Sequence, residues 1–118
     1  MTTTTKTAKQ ATFQAPDDFG AMAPQQQVKA VAAWCAANPT AKIAAISIAE
    51  GGLPIYLRRD TGKRADINRL MVEGATVKDF RPQAAKLGGG WTDLVAGLLG
   101  GYSRSAAGYG TPHFTLKA

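Results

Sequence analysis

The chain has 118 residues, and its 14 lysines and arginines outnumber its eight aspartates and glutamates, giving a net charge of +6. This length fits one domain with its own core, and one cysteine and one histidine are too few for an internal disulfide or a histidine-based zinc cluster. No apolar stretch is long enough to cross a bilayer. We therefore expect a soluble protein of a reducing, cytoplasmic compartment, whose positive charge favours acidic partners.

The N-terminal segment, residues 1–25, is rich in Thr, Gln, Ala and Pro and poor in aliphatic residues. This composition is typical of a flexible polar arm. Three isolated apolar residues, Phe13, Phe19 and Met22, are spaced so that an extended arm could dock them one after another on a neighbouring surface. We divide the chain into this arm, residues 1–25, and a single domain, residues 26–118.

The domain is predicted to begin with an amphipathic helix. After Pro24, apolar residues recur at three- and four-residue spacing. Asn38 and Pro39 end the helix, because the residue before a proline is disfavoured in the α region. Cys35 lies on the apolar face and lacks a charged neighbour in sequence, which predicts a buried, unreactive thiol.

Two strands are predicted next. Residues 42–49 are rich in isoleucine and nearly continuous in apolar character, as in a central strand that is covered on both faces. Residues 53–58 alternate between apolar and polar, as in a half-buried strand. The glycines at 51 and 52 predict a hairpin between the two strands.

The remaining elements are shorter. A turn at residues 60–63 precedes a helix over 65–73, a short strand over 75–80, a helix over 83–87, an apolar helix over 92–99 and an edge strand over 113–116. The triple glycine at 88–90 either presents backbone N–H groups to an anion or is an ordinary connector. These elements predict a small α+β domain with a three- or four-stranded, mainly antiparallel sheet, two or three packed helices and the flexible N-terminal arm.

The strongest functional signal is a cluster of five cations within residues 58–69. The cluster is not a nucleotide-hydrolysing loop, because the first glycine of that motif is absent and Arg64 stands where a magnesium-binding hydroxyl is required. Asp60 and Asp66 offset part of its charge, so a solvated, salt-bridged helix start is the alternative reading. The predicted nucleic-acid-binding residues are Arg58, Arg59, Lys63, Arg64, Arg69, Lys78, Arg81, Lys86, Tyr102, Arg104 and Tyr109.

Two functions remain open from these residues. The first is a non-enzymatic module that binds DNA or RNA mainly through phosphates, with the two tyrosines stacking on bases. The second is a structural or interaction protein that assembles into a homo-oligomer, a particle or an inhibitory complex through its arm and its Gly/aromatic loops. The chain carries no recognisable nucleophile or two-metal motif, so we expect no enzyme activity and no cofactor.

Overall fold

The computed structural model describes residues 12–48, 52–55, 57, 59–106 and 109–118. Within these residues the chain forms four α-helices and a two-stranded antiparallel sheet, which makes it a mixed α+β fold. The elements in chain order are a 3₁₀ helix at Phe19–Ala21, α1 at Pro24–Ala37, β1 at Lys42–Ala44, α2 at Lys63–Leu70, α3 at Val77–Ala85, α4 at Trp91–Leu99 and β2 at Thr115–Lys117.

The sheet is smaller than the predicted one. Ile43 of β1 pairs with Leu116 of β2, and each strand has only three residues. A single bridge extends each edge: Thr12 pairs with Lys117, and Lys42 pairs with Thr76. The prediction of three or four strands is therefore not confirmed among the described residues.

Strand β1 ends early because the chain turns at Ala45, whose φ of 53° lies in the left-handed region. The backbone N–H groups of Ala45 and Ile46 donate to the carboxylate of Glu73 at 3.1 and 3.0 Å, instead of to a strand. The prediction of a strand over residues 42–49 is therefore wrong beyond Ala44; residue 49 lies outside the described part of the chain.

The second predicted strand and its hairpin fall partly on residues 50, 51, 56 and 58, which lie outside the described residues. Positions 52–55 and 57, which are described, form no strand. Ile55 is fully buried, and its N–H donates to the side-chain oxygen of Asn68 at 3.1 Å. A side chain of α2 thus satisfies the backbone group that a neighbouring strand would have paired.

The predicted strand over residues 75–80 is replaced by the start of α3. The hydroxyl of Thr76 accepts the N–H of Asp79 at 3.2 Å and caps the helix. Val77, Phe80 and Ala84 are buried on one face of α3, and their helical spacing outweighs the β propensity of the segment.

The core lies between α1, α4 and the sheet, and α4 packs closely on the residue that precedes β2. A Cβ atom at Gly97 would lie only 2.0 Å from the ring of Phe114, so this position in α4 has room for glycine alone. Phe13 and Phe19 of the N-terminal segment belong to the same core, at 8% and 3% exposure, and Met22 packs against it.

Candidate nucleic-acid interface

The predicted cations lie on the surface of two helices and their flanks. Arg58 lies outside the described residues. Every other arginine and lysine of the predicted site is exposed. Lys63 and Arg64 form the first turn of α2, Arg69 its last turn, and Lys78 and Arg81 lie on α3. The remaining three cations are Arg59 before α2, Lys86 at the end of α3, and Arg104 in the loop after α4.

The side chain of Arg69 already binds two residues close to it in sequence. Its guanidinium forms an ion pair with Asp66 at 3.1 Å and also donates to the carbonyl of Asp60. This is the only ion pair in the described part of the chain. Both side chains are about half exposed, so the pair adds little stability, and Asp66 cancels the charge that Arg69 would offer to a phosphate.

Arg64 lies over the ring of Tyr102, with its Cζ 4.1 Å from the ring centroid. The Tyr102 hydroxyl donates to Asp93 at 2.5 Å and accepts from the Asn68 amide at 3.0 Å. Burial, reinforced by the Asp93 carboxylate, raises the pKa of Tyr102 well above its ordinary value. Tyr102 is therefore a neutral residue whose hydroxyl and one ring face already have partners.

The triple glycine does not offer an open anion site. Gly90 donates its N–H to the buried carboxylate of Asp93 at 2.9 Å, and the N–H groups of Gly88 and Gly89 donate to carbonyls at the end of α3. The chain's own carboxylate thus takes the position at the start of α4 that an anion would need.

Arg104 and Tyr109 bind the N-terminal segment. Arg104 donates to the carbonyls of Gly20 and Ala21 at 3.1 and 3.0 Å, and the Tyr109 hydroxyl donates to Gly20 at 3.1 Å. Both side chains hold the 3₁₀ helix against the loop that follows α4. Two of the predicted binding residues therefore have a structural role in this chain.

A cation and an aromatic ring meet where α3 faces the start of α4. The Cζ of Arg81 lies 4.3 Å from the centroid of the Trp91 ring. Lys78, one turn earlier on α3, lines the same groove, whose volume is about 300 Å³. The sequence analysis missed Trp91, because nine residues that include a glycine turn lie between it and Arg81. Its only sequence signal is an aromatic residue at a helix start directly after flexible glycines.

Cys35 lines this groove from α1. Burial raises the pKa of its thiol from 9.0 to about 11, although the positive charge of Arg81 acts in the opposite direction. The thiol is thus protonated at neutral pH, which makes it a poor nucleophile and leaves the groove floor uncharged.

The described residues contain no group of three or more His, Cys, Asp and Glu side chains that could hold a metal ion. None of the helices described is long and apolar enough to span a bilayer. Comparisons of the chain with protein-family models, curated proteins and solved structures find no match.

Proposed function

We propose that the chain is a non-enzymatic module that binds nucleic acid mainly through the phosphate backbone. The observation that carries this proposal is the exposed basic face of α3, where Lys78 and Arg81 lie beside Trp91 and none of the described residues that line the adjoining groove is a carboxylate. Cations that neutralise phosphates release condensed counterions, which drives binding without reading sequence. An aromatic ring beside cations is typical of proteins that bind single-stranded nucleic acid.

The first turn of α2 carries two further exposed cations. Lys63 is exposed and forms no ion pair with any described residue, and Arg64 remains exposed while it covers Tyr102. We expect these residues to contact phosphate, as Lys78, Arg81 and Lys86 do. Arg69 contributes less, because Asp66 already pairs with it.

A salt titration tests the proposal. If about four phosphates are neutralised, the logarithm of the association constant for duplex DNA falls with the logarithm of salt concentration with a slope of about −3.6. The double variant Lys78→Ala/Arg81→Ala removes two of those contacts, so its slope becomes shallower by about 1.8. Fluorescence anisotropy of a labelled duplex measures both slopes.

The matched control removes two exposed lysines outside α2 and α3, with the variant Lys29→Ala/Lys117→Ala. It lowers the net charge by the same amount but leaves the proposed contacts in place. A salt-independent affinity of the unmodified protein contradicts phosphate binding. An equal change of slope in both double variants shows that the salt dependence of binding comes from the overall charge of the protein and not from the face of α3.

We propose self-association as a second candidate function, because one surface formed by described residues is apolar and exposed. Ile48 and Val72 are 59% and 53% exposed, and both line a groove of about 250 Å³ together with Leu53 and Met71. Arg69 and Glu73 border the same groove, but both already have partners within the chain, so a second copy would be bound mainly by the apolar side chains. Apolar residues grouped in this way on a surface often mark an interface.

Light scattering tests this second candidate. We expect the unmodified protein to have a mass above the 12.3 kDa of one chain, and Val72→Lys to return it to that mass. Gln25→Lys, an equal charge change at an exposed position outside the groove, leaves the mass unchanged. A protein that stays monomeric at high concentration, or an oligomer that survives Val72→Lys, rules out this interface.

A further inference from the structure

The groove beside Trp91 has three walls of different chemistry. Alanines of α1 line one wall, Val77 of α3 lines a second, and Trp91 of α4 lines the third, with the Arg81 guanidinium over one face of the Trp91 ring. The alanines of α1 in this lining are Ala32 and Ala36. The groove's volume of about 300 Å³ is at the lower limit for ligand sites, so it suits one flat ring system and not an extended ligand.

Charge is confined to one rim of the groove. Among the described residues that line it, only Lys78 and Arg81 are charged, and the Cys35 thiol is neutral. An occupant that fits this arrangement has an uncharged, flat, apolar body and carries negative charge at one side. A nucleotide within a strand has that form, because its base is uncharged and its phosphates lie at the edge.

We propose that this groove receives one unstacked base of a single strand while Lys78 and Arg81 bind the flanking phosphates, so that the ligand is single-stranded nucleic acid. This inference rests on the phosphate binding proposed above and specifies its substrate class. In a duplex every base is stacked and paired, and withdrawing one has an energetic cost that a single strand avoids. The duplex therefore reaches the basic rim but not the groove.

The same geometry predicts little preference among bases. The lining is mainly apolar, and the amide of its polar member Asn38 already donates to the carbonyl of Trp34 at 2.9 Å. Contact with an aromatic ring and removal of apolar surface from water stabilise any base alike, since every base presents a flat π-face. Sequence readout would instead require polar side chains directed at base edges.

A groove-filling substitution separates base binding from phosphate binding. Ala36→Leu places an apolar side chain in the groove without changing any charge, and position 36 is exposed, so the helix can accept it. Labelled oligo-dT and a duplex of equal length are titrated in low salt. We expect the unmodified protein to prefer oligo-dT by about 5- to 150-fold, and Ala36→Leu to abolish this preference while its duplex affinity stays unchanged.

Ala33→Leu is the matched control, because Ala33 is exposed on the same helix but does not line the groove. It should retain the full preference for oligo-dT. Tryptophan emission of the unmodified protein gives a second measurement. Trp91 is half-buried and Trp34 is buried, so a base in the groove should quench mainly Trp91. We therefore expect oligo-dT at saturation to quench the emission more strongly than the duplex does.

The outcomes distinguish the two proposals. Equal, salt-dependent affinity for oligo-dT and duplex, together with unchanged binding by Ala36→Leu, overturns the base-binding groove and leaves phosphate binding intact. Failure of the unmodified protein to bind either probe overturns the proposed function and, with it, the groove. Loss of the preference for oligo-dT in Ala36→Leu alone supports the inference.

Discussion

Tyr102, which the sequence predicted to bind nucleic acid, makes contacts within the chain that give it a structural role. Its hydroxyl lies between the Asp93 carboxylate and the Asn68 amide, and Arg64 covers one face of its ring. Asp93 is only 3% exposed, and a buried carboxylate without hydrogen-bond donors is costly. The hydroxyl of Tyr102 and the N–H of Gly90 supply the donors that Asp93 requires.

Replacing Tyr102 by phenylalanine should therefore destabilise the protein. The ring and its contact with Arg64 are kept, but Asp93 loses a donor and Asn68 loses an acceptor, so we expect the free energy of unfolding to fall by about 1–3 kcal/mol. Urea denaturation followed by circular dichroism measures the change. Tyr109→Phe, which removes one hydrogen bond to the Gly20 carbonyl, should have the smaller effect; equal losses in the two variants contradict a special role for Tyr102.

At the scale of whole elements, the helices could be predicted from sequence better than the strands. The structure places α1 at Pro24–Ala37, between the residues predicted to start and stop it, and α2 and α4 differ from their predictions only at their ends. Apolar residues at helical spacing are local signals that a single segment carries by itself. Segments 42–49 and 75–80 also have the local pattern of strands. However, Glu73 accepts the N–H of Ala45 where β1 ends, and Thr76 caps the helix that replaces the second predicted strand.

The candidate site could be predicted only in part, because local sequence signals do not show which distant residues come into contact. The exposure of Lys63, Lys78 and Arg81 follows from their charge, and their positions on helices follow from the local pattern. The contact between Arg81 and Trp91 depends on how the glycine turn folds α4 back beside α3. Likewise, Tyr102 meets Asn68 across 34 residues, a separation at which spacing gives no information about contact.

At the scale of the whole molecule, the described part of the N-terminal segment, from residue 12 onward, packs against the rest of the chain. Phe13 lies edge-on to the rings of Phe19 and Trp34, at 5.8 Å between centroids in each case. Its N–H donates to the Leu116 carbonyl of β2 at 2.9 Å. Thus two of the three apolar residues predicted to anchor an arm on a neighbouring surface pack in the chain's own core. The division of the chain at residue 25 stays a prediction.

Because these two phenylalanines are buried, each should contribute to the stability of the whole chain. We expect Phe13→Ala and Phe19→Ala each to lower the free energy of unfolding by about 3–5 kcal/mol, a large fraction of the roughly 5–15 kcal/mol typical of a domain. The combined variant should be largely unfolded at 25 °C by circular dichroism. Gln14→Ala, at an exposed position between them, should unfold at the same urea concentration as the unmodified protein.

A loss below about 1 kcal/mol in both single variants would contradict this packing and restore the segment as an arm that is free to bind a neighbour. The expected result also determines how assembly should be tested. Deleting residues 1–25 would remove Phe13 and Phe19 from the core together with any surface they provide, so a loss of assembly would not distinguish a lost interface from an unfolded chain. Val72→Lys avoids this ambiguity, because Val72 is 53% exposed and its replacement leaves the core intact.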